Sequence, residues 1–583
     1  VKKLVTALAV AIALVMSPFA SHVASGSPDV LLKGYIPLPD GTQLAYEVHL
    51  PGASGKFPVA MIMDHYSSGA QDPAVNTGSN FPGATLLAAG YAVLGVNQRG
   101  SGCSSGVNDW VNAAQWGQDG ANVVEWAAAQ RWSTGHIGLF GISWPGITQV
   151  GTAGHRPPHL DAIAPFMVTT DFYRDTAYPG GIYNDEFMSA YGALVPADDA
   201  QAANVTRGST SVDTQCAANF ATHAAMNAPA NTAVNMPQHP FLDSYWSNDP
   251  QRFVNDVHVP VLGCQAWQDG DVSSRATELY MSRFNPATSW FIGRNGSHLS
   301  VACAMPQTGA MVVKFFDYYL KGVRNGWPST PHITLFHEVT SSGTPGWTST
   351  LQSWKAVRPT TLNLHGDRTL DPSPPRSSEP SSPYAALAPS ESGASWQGAR
   401  APGTFVAYTS APLSTDQEYL GPASVNLWLS STAPDTDVEV TISEVRPDGS
   451  NQYIASGWLR MSERKLDPRQ STALRPLQTH LQADQQLLTP LVPVSARVEV
   501  FPFDHVFRAG SRIQLTIDPA AGSAGATDDF RGFGPATPVL NTIYEDAAHP
   551  SELVLGLVPG ARAGAPEPAC GSVASEPCRS VGP

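Results

Sequence analysis

Residues 136–149 read HIGLFGISWPGITQ, a short apolar run leading into Gly141-Ile142-Ser143-Trp144-Pro145-Gly146. An apolar strand that ends in a glycine-flanked serine and resumes as a helix has the pattern of a nucleophile elbow, the sharp turn that thrusts a serine hydroxyl out at the edge of a sheet. Small residues at Gly141 and Gly146 let strand and helix approach closely. Pro145 fits the same pattern, because it falls in the first helical turn, where a missing N–H breaks no helix bond. Trp144 keeps the backbone N–H that such a turn offers to a developing oxyanion. A proline one place earlier would delete that donor, a loss that typically costs about 3 to 4 kcal/mol of transition-state stabilisation.

The literal spacing G-x-S-x-G occurs elsewhere, at Gly102-Cys103-Ser104-Ser105-Gly106. A polar stretch, Gln98-Arg99-Gly100-Ser101, precedes it where a strand is required, so Ser104 is set aside.

A serine hydroxyl is a poor nucleophile until a histidine takes its proton and a carboxylate holds that histidine in the right tautomer. The chain order that goes with an elbow is serine, acid, histidine. An apolar run at 259–265 leads into Ala266-Trp267-Gln268-Asp269-Gly270-Asp271, and the next, at 289–292, leads toward Asn295-Gly296-Ser297-His298. Taken singly, an Asp-Gly pair is ordinary turn chemistry and a lone histidine is ordinary structure. Three such residues in the required order, each just after its own strand, predict a Ser143, Asp269, His298 triad with Asp271 as the alternative acid. That chemistry calls for no cofactor and no metal.

At 583 residues the chain exceeds one ordinary core, so two or three packed units are expected. Short apolar strands at 59–63, 91–96, 136–140, 259–265 and 289–292 alternate with helical stretches, which predicts an α/β unit with a mostly parallel sheet. Residues 116–127 carry helical spacing, as does the run 309–322. From 169 to 255 the alternation breaks into aromatic clusters and Ala-rich segments, the character of an inserted cap. Beyond residue 330 period-two runs at 424–430, 438–444 and 512–517 predict an all-β sandwich. The expected division is a signal peptide at 1–27, a catalytic unit at 28–168 and 256–330, a cap at 169–255 and the sandwich at 331–583.

Hydrophobic residues make up 42% and charged residues 14% of the chain, a globular composition. The net charge of -15 comes with no basic stripe, which argues against nucleic acid as a partner. Lys2 and Lys3 followed by an apolar run at 4–16 form a secretory signal peptide pattern, too short for a permanent membrane anchor. Val1 is consistent with an alternative start codon, hence a bacterial source, and the expected location is extracellular. Six cysteines in an exported chain favour disulfides, and their spacing matches no zinc pattern. Cys570 and Cys578 are close enough to clip the tail locally; the other four leave several pairings open.

The sequence resembles the cocaine esterase and X-prolyl dipeptidyl peptidase group of α/β-hydrolases. The resemblance rests on residues 40–46 (DGTQLAY), Gly90-Tyr-Ala-Val93 with Arg99-Gly100, 126–146, His239-Pro240 through Trp246, 266–269 (AWQD), 296–298 (GSH) and 315–322 (FFDYYLKG). Further on it rests on Gly421-Pro422, 433–437 (APDTD), 447–449 (PDG) and 507–512 (FRAGSR), so it covers nearly the whole chain after the leader. Members typically carry tyrosine where this chain has Trp144. The resemblance implies an α/β-hydrolase core with an inserted helical cap, plus a C-terminal jelly-roll sandwich. It also implies that a tyrosine after the first core strand, here Tyr66, completes the oxyanion hole with the Trp144 N–H.

The activity implied is two-step hydrolysis through an acyl-serine, on a small-molecule ester or amide. The peptidase branch typically adds an N-terminal helical domain, for which little chain precedes the core here. The branch acting on α-amino acid esters, or transferring their acyl groups, binds the substrate ammonium with a carboxylate cluster. Asp271 occupies one such place and Asp171 or Asp175 could supply another, but Val272 stands where a third is expected. A neutral ester with a bulky, aromatic acyl group held against Trp144 and Trp267 is the expected substrate. A carbohydrate-binding sandwich beside an inactive hydrolase unit is the non-enzymatic alternative.

Overall fold

A computed structural model describes residues 30–66, 73–76, 78–185, 187–193, 195, 213–230, 232–298, 302–386, 401–520 and 538–580. The leader-like segment 1–27 lies outside them.

Ten strands form the first sheet: β1 (Val30–Pro37), β2 (Gln43–Leu50), β3 (Phe57–Asp64), β4 (Ala92–Asn97), β5 (Ser133–Ile142), β6 (Leu160–Phe166), β7 (Val261–Ala266), β8 (Ser289–Arg294), β9 (Ile333–His337) and β10 (Trp347–Leu351). Their order is β1-β2-β4-β3-β5-β6-β7-β8-β9-β10. From β4 through β9 neighbours run parallel, while β1, β2 and β10 pair antiparallel at the edges. β3 to β8 are buried along most of their length, as near-continuous apolar runs require when helices cover both faces. The chain moves outward from β3 to β4 and then returns past β3 to β5, so the strand order reverses there. A ligand site is expected beyond the carboxyl ends of the strands at such a reversal.

Two helices carry the crossovers that matter for the site. α1 (Ala113–Ala128) starts at Asn112, whose side chain caps the Gln115 N–H. α2 (Trp144–Gly154) follows β5 with no connecting residue but Ser143. The two pack tightly because both faces are small: a Cβ on Gly151 would lie 2.3 Å from the Trp116 ring, and one on Gly120 2.0 Å from Thr152 Oγ1. In the segment expected as a cap, α3 (Thr214–Asn227) is fastened to the loop after β4. Asn219 donates to the Cys103 carbonyl, His223 Nε2 meets the Ser104 carbonyl at 2.8 Å, and a Cys103–Cys216 disulfide joins the two. Ser104 itself is buried in that loop, donating to Asn97 O and accepting from the Ala45 N–H, which is a structural role. A last helix, α4 (Pro306–Lys321), ends at Gly322 in the left-handed region.

Among the described residues the second sheet contains twelve strands between Arg358 and Ser580. The runs read from the sequence lie inside its strands Gln417–Ser431, Asp437–Val445 and Arg512–Pro519. β9 and β10 fall beyond residue 330 yet belong to the first sheet.

The two sheets are joined through buried charge. Arg275 reaches Glu499 at 2.9 Å and Asp175 at 3.0 Å, with Asp171 at 3.7 Å. Arg174 pairs with Asp171 at 2.8 Å and donates to the Gln478 carbonyl. Arg475 pairs with Glu278 at 2.7 Å across the same boundary. Gly180, at φ 60°, lets the chain lie against the Trp458 carbonyl, which a Cβ would meet at 2.0 Å. Arg275→Ala would leave Asp175 and Glu499 buried without their cation. It is expected to lower unfolding stability by about 3 to 5 kcal/mol, measured by denaturant titration.

Candidate active site

Ser143 sits between β5 and α2 at φ 67° and ψ -131°. A β-carbon residue pays for that conformation with about 1 to 3 kcal/mol of strain, held by its surroundings. The surroundings are specific. Ser143 N–H donates to the Phe166 carbonyl of β6 at 2.9 Å, and Thr148 Oγ1 donates to the Met63 carbonyl of β3 at 2.8 Å. Gly141, at φ 131°, could carry no Cβ without meeting Pro145 Cβ at 2.6 Å. A Cβ on Gly146 would lie 2.8 Å from the Phe166 carbonyl. Pro145 is the second residue of the helix, and the Trp144 N–H is among the first-turn donors that have no intrahelical acceptor.

The structure brings Ser143, His298 and Asp269 into one hydrogen-bonded chain. His298 Nε2 lies 2.7 Å from Ser143 Oγ, and His298 Nδ1 lies 2.9 Å from Asp269 Oδ2. The other Asp269 oxygen accepts the backbone N–H groups of Asp271 (3.0 Å) and Val272 (3.1 Å), which fixes the carboxylate and keeps it buried. Burial disfavours protonation of His298, but the Asp269 carboxylate, through charge and hydrogen bond, outweighs it and, with Asp271 adding, pushes the imidazole up to about 9. Alcohol, imidazole and carboxylate in this order are what deprotonating a serine requires. A Cys264–Cys303 disulfide ties β7 to the segment that follows His298.

The acid loop is also braced from the second sheet. Gln268 donates to the Ile454 carbonyl at 3.1 Å and Ser274 to the Pro502 carbonyl at 2.6 Å.

Tyr66 lies just past the end of β3, the neighbour of β5, with its hydroxyl 2.7 Å from that of Tyr191. Trp144 is buried, and its indole N–H donates to Gln98 Oε1 at 2.7 Å. Its ring stacks on His65 (4.1 Å between centroids) and Phe172 (5.8 Å), with Trp110 and Tyr191 packed beside them. His65 contacts the Tyr191 hydroxyl through Nε2 at 2.9 Å. Burial, partly countered by Asn108, pushes His65 down to about 3, so it stays neutral.

The residues expected to line a substrate pocket are placed differently. Trp267 packs on Phe291, fills the space above Gly293 and lines a cavity with His337, Asp504 and His505. Asp171 and Asp175 are engaged by Arg174 and Arg275, as described above. Only Asp271 remains beside His298. Sequence pattern gave no role to His65, Gln98, Trp110, Phe172 or Tyr191. The position of His65 directly after β3 is the one available pointer, since Gln98 and Trp110 lie in the irregular chain after β4 and Phe172 and Tyr191 on short helical segments that follow β6.

Fold and chemistry define an enzyme of the serine hydrolase class. Residues 40–300 match the X-Pro dipeptidyl-peptidase (S15) family and residues 325–554 match the X-Pro dipeptidyl-peptidase C-terminal non-catalytic domain. Cocaine esterase of Rhodococcus sp. is 23% identical over 92% of this chain and 100% of its own length. Among solved structures, a CocE/NonD family hydrolase from Staphylococcus aureus superposes with TM-score 0.73 at 23% identity, covering 91% of this chain and 94% of that one. An α-amino acid ester hydrolase superposes with TM-score 0.67 at 16% identity, covering 93% and 99%. The chain belongs to the cocaine esterase and X-prolyl dipeptidyl peptidase group of α/β-hydrolases. Its architecture is the α/β-hydrolase core with inserted cap, followed by a jelly-roll sandwich.

Proposed function

We propose that this protein is an exported esterase that cleaves neutral carboxylic esters through an acyl-enzyme on Ser143. The observation that carries it is the unbroken chain from Ser143 Oγ through His298 to Asp269. His298 takes the serine proton as the hydroxyl attacks the ester carbonyl, then returns it to the departing alcohol. In the second half it activates water against the acyl-serine. Trp144 N–H and the Tyr66 hydroxyl hold the oxyanion. Residues 28–168 and 256 onward form the catalytic unit and 169–255 its cap; the pairing of β9 and β10 with the first sheet supports carrying that unit from the expected residue 330 to Leu351, with the sandwich beginning after it. Three disulfides fit an oxidising, extracellular setting, and among the described residues no helix is long and apolar enough to cross a membrane.

Neutral esters are favoured over α-amino esters by the state of the carboxylates. With Asp171 and Asp175 paired to arginines, the set that would hold a substrate ammonium is reduced to Asp271. An aromatic acyl group is favoured by the His65, Trp110, Trp144, Phe172 and Tyr191 rings gathered beside the elbow.

Ser143→Ala should abolish both hydrolysis and labelling by a fluorophosphonate; labelling that persists would place the nucleophile elsewhere. Because only the neutral imidazole accepts a proton, kcat/KM should rise with pH through a limb above the ordinary histidine value of about 6.5. Asp269→Asn should move that limb to lower pH and reduce kcat by about 10⁴.

Tyr66→Phe should lower kcat by about 10² with little change in KM. Unchanged turnover would remove Tyr66 from the oxyanion hole.

On para-nitrophenyl esters, benzoyl should be cleaved faster than acetyl or butyryl. The reverse order would exclude the aromatic acyl pocket.

A further inference from the structure

Away from Ser143, three buried side chains converge where the two sheets meet: His337 at the end of β9, Glu418 in the strand Gln417–Ser431 and Asp504 in the strand Val494–Phe507. These two strands pair antiparallel with Asp504 opposite Leu420, so Glu418, two residues before Leu420, shares a face with Asp504 as its diagonal neighbour. One donor atom from each of the three residues lies within 4.8 Å of the others.

Their surroundings balance this negative charge only in part. Among the described residues, neither Asp504 oxygen nor Glu418 Oε1 receives a well-aligned hydrogen bond, and the one positive charge facing them is that of His337. His337 Nδ1 is 3.0 Å from Asp504 Oδ2; burial disfavours the imidazolium, but the Asp504 carboxylate beside it outweighs this and raises the imidazole, which leaves one carboxylate charge of the pair to be balanced. On its other side His337 Nε2 meets Ser349 Oγ at 2.6 Å, and the ring is stacked on Trp347 at 4.6 Å. An imidazole oriented through one nitrogen, with the other facing carboxylates, is the usual arrangement of a metal-binding histidine. The neighbouring charges are already matched: Glu338 with Arg508, and Glu444 with His505. Glu576 accepts from Gln452 and Gln268. A cavity of about 10 Å³, room for about one water, opens beside His337 and Asp504.

We propose that His337, Glu418 and Asp504 form a binding site for one divalent transition-metal cation of the zinc or manganese class, clamping the hydrolase sheet to the sandwich. One imidazole with two carboxylates suits these cations better than calcium or magnesium, which prefer all-oxygen shells. Bonds of about 2.0 to 2.2 Å need only small inward adjustments of the side chains, and a water in the adjoining cavity completes the shell. The competing way to balance the site is a proton held between the two carboxyls: burial, with Asp504 beside it, raises Glu418 to about 8.

The test uses full-length protein stripped with a chelator and titrated with zinc chloride by calorimetry, followed by thermal unfolding with and without the metal. The expected result is one zinc per chain and a raised Tm, both lost in Asp504→Asn and Glu418→Gln. Zinc-soaked crystals of the unmutated protein should show an anomalous peak between the three side chains at the zinc edge, which keeps the test independent of how the variants fold. The proposal is overturned by no saturable binding, by binding retained in both variants, or by an anomalous map without that peak; the shared proton then stands in its place.

Discussion

The backbone of Ser143, held at φ 67°, is the constraint on which the rest of the site depends. It turns the chain from β5 into α2 without a spare residue, so that the serine hydroxyl and the first free amide of the helix emerge at the same edge of the sheet. The turn is closed by two contacts with neighbouring strands, to Phe166 in β6 and Met63 in β3. The turn also requires bare backbone at Gly141, where a Cβ would meet Pro145, and at Gly146, where one would meet Val168 and the Phe166 carbonyl. The strand order then does the rest: with β3 beside β5, the segment carrying His65 and Tyr66 is delivered to one flank of the elbow, while β7 and β8 bring Asp269 and His298 to the other.

The second sheet belongs to this arrangement rather than standing apart from it. Its backbone carbonyls at Ile454 and Pro502 hold the loop that carries Asp269, and Glu499 shares Arg275 with Asp175. The acid that orients His298 is therefore positioned partly by residues far downstream. Burying charge across such a boundary offers little net stability when the partners are weighed against apolar replacements. What the arrangement supplies is a set of directional contacts: Arg174 and Arg275 between them reach Asp171, Asp175, Glu499 and the Gln478 carbonyl, so the segment after β6, the acid loop and the sandwich meet at two side chains.

How legible was this from the sequence? The elbow, the acid and the histidine were visible because each follows directly on a buried strand, and a buried strand in a parallel sheet is a run of apolar residues. β6 escaped notice because its run, LDAIAPF, carries an aspartate and a proline. The helix at 309–322 was recognised through its glycine stop, which the structure places at Gly322 after a start at Pro306. The period-two runs place the boundary after the catalytic unit near residue 330, while β9 and β10 continue the first sheet to Leu351; short strands at a sheet edge look alike in either kind of domain. Trp267 is expected at the substrate as an aromatic residue beside the acid, and Asp171 or Asp175 only through the resemblance to the branch acting on α-amino acid esters. Arg174 and Arg275 are what redirect the two aspartates, and no spacing rule connects residue 175 with residue 275 or with Glu499.

The Cys103–Cys216 bridge bears on how substrate gets in. It staples α3 to the turn after β4, a turn that is itself fixed to β2 through Ser104 and Ser105. A lid free to swing as one body would need at least one unattached margin, and this margin is sewn down. With the bridge intact, α3 and the turn after β4 can travel only together, so any larger movement of this segment has to carry that turn along or be confined to the residues beyond the helix.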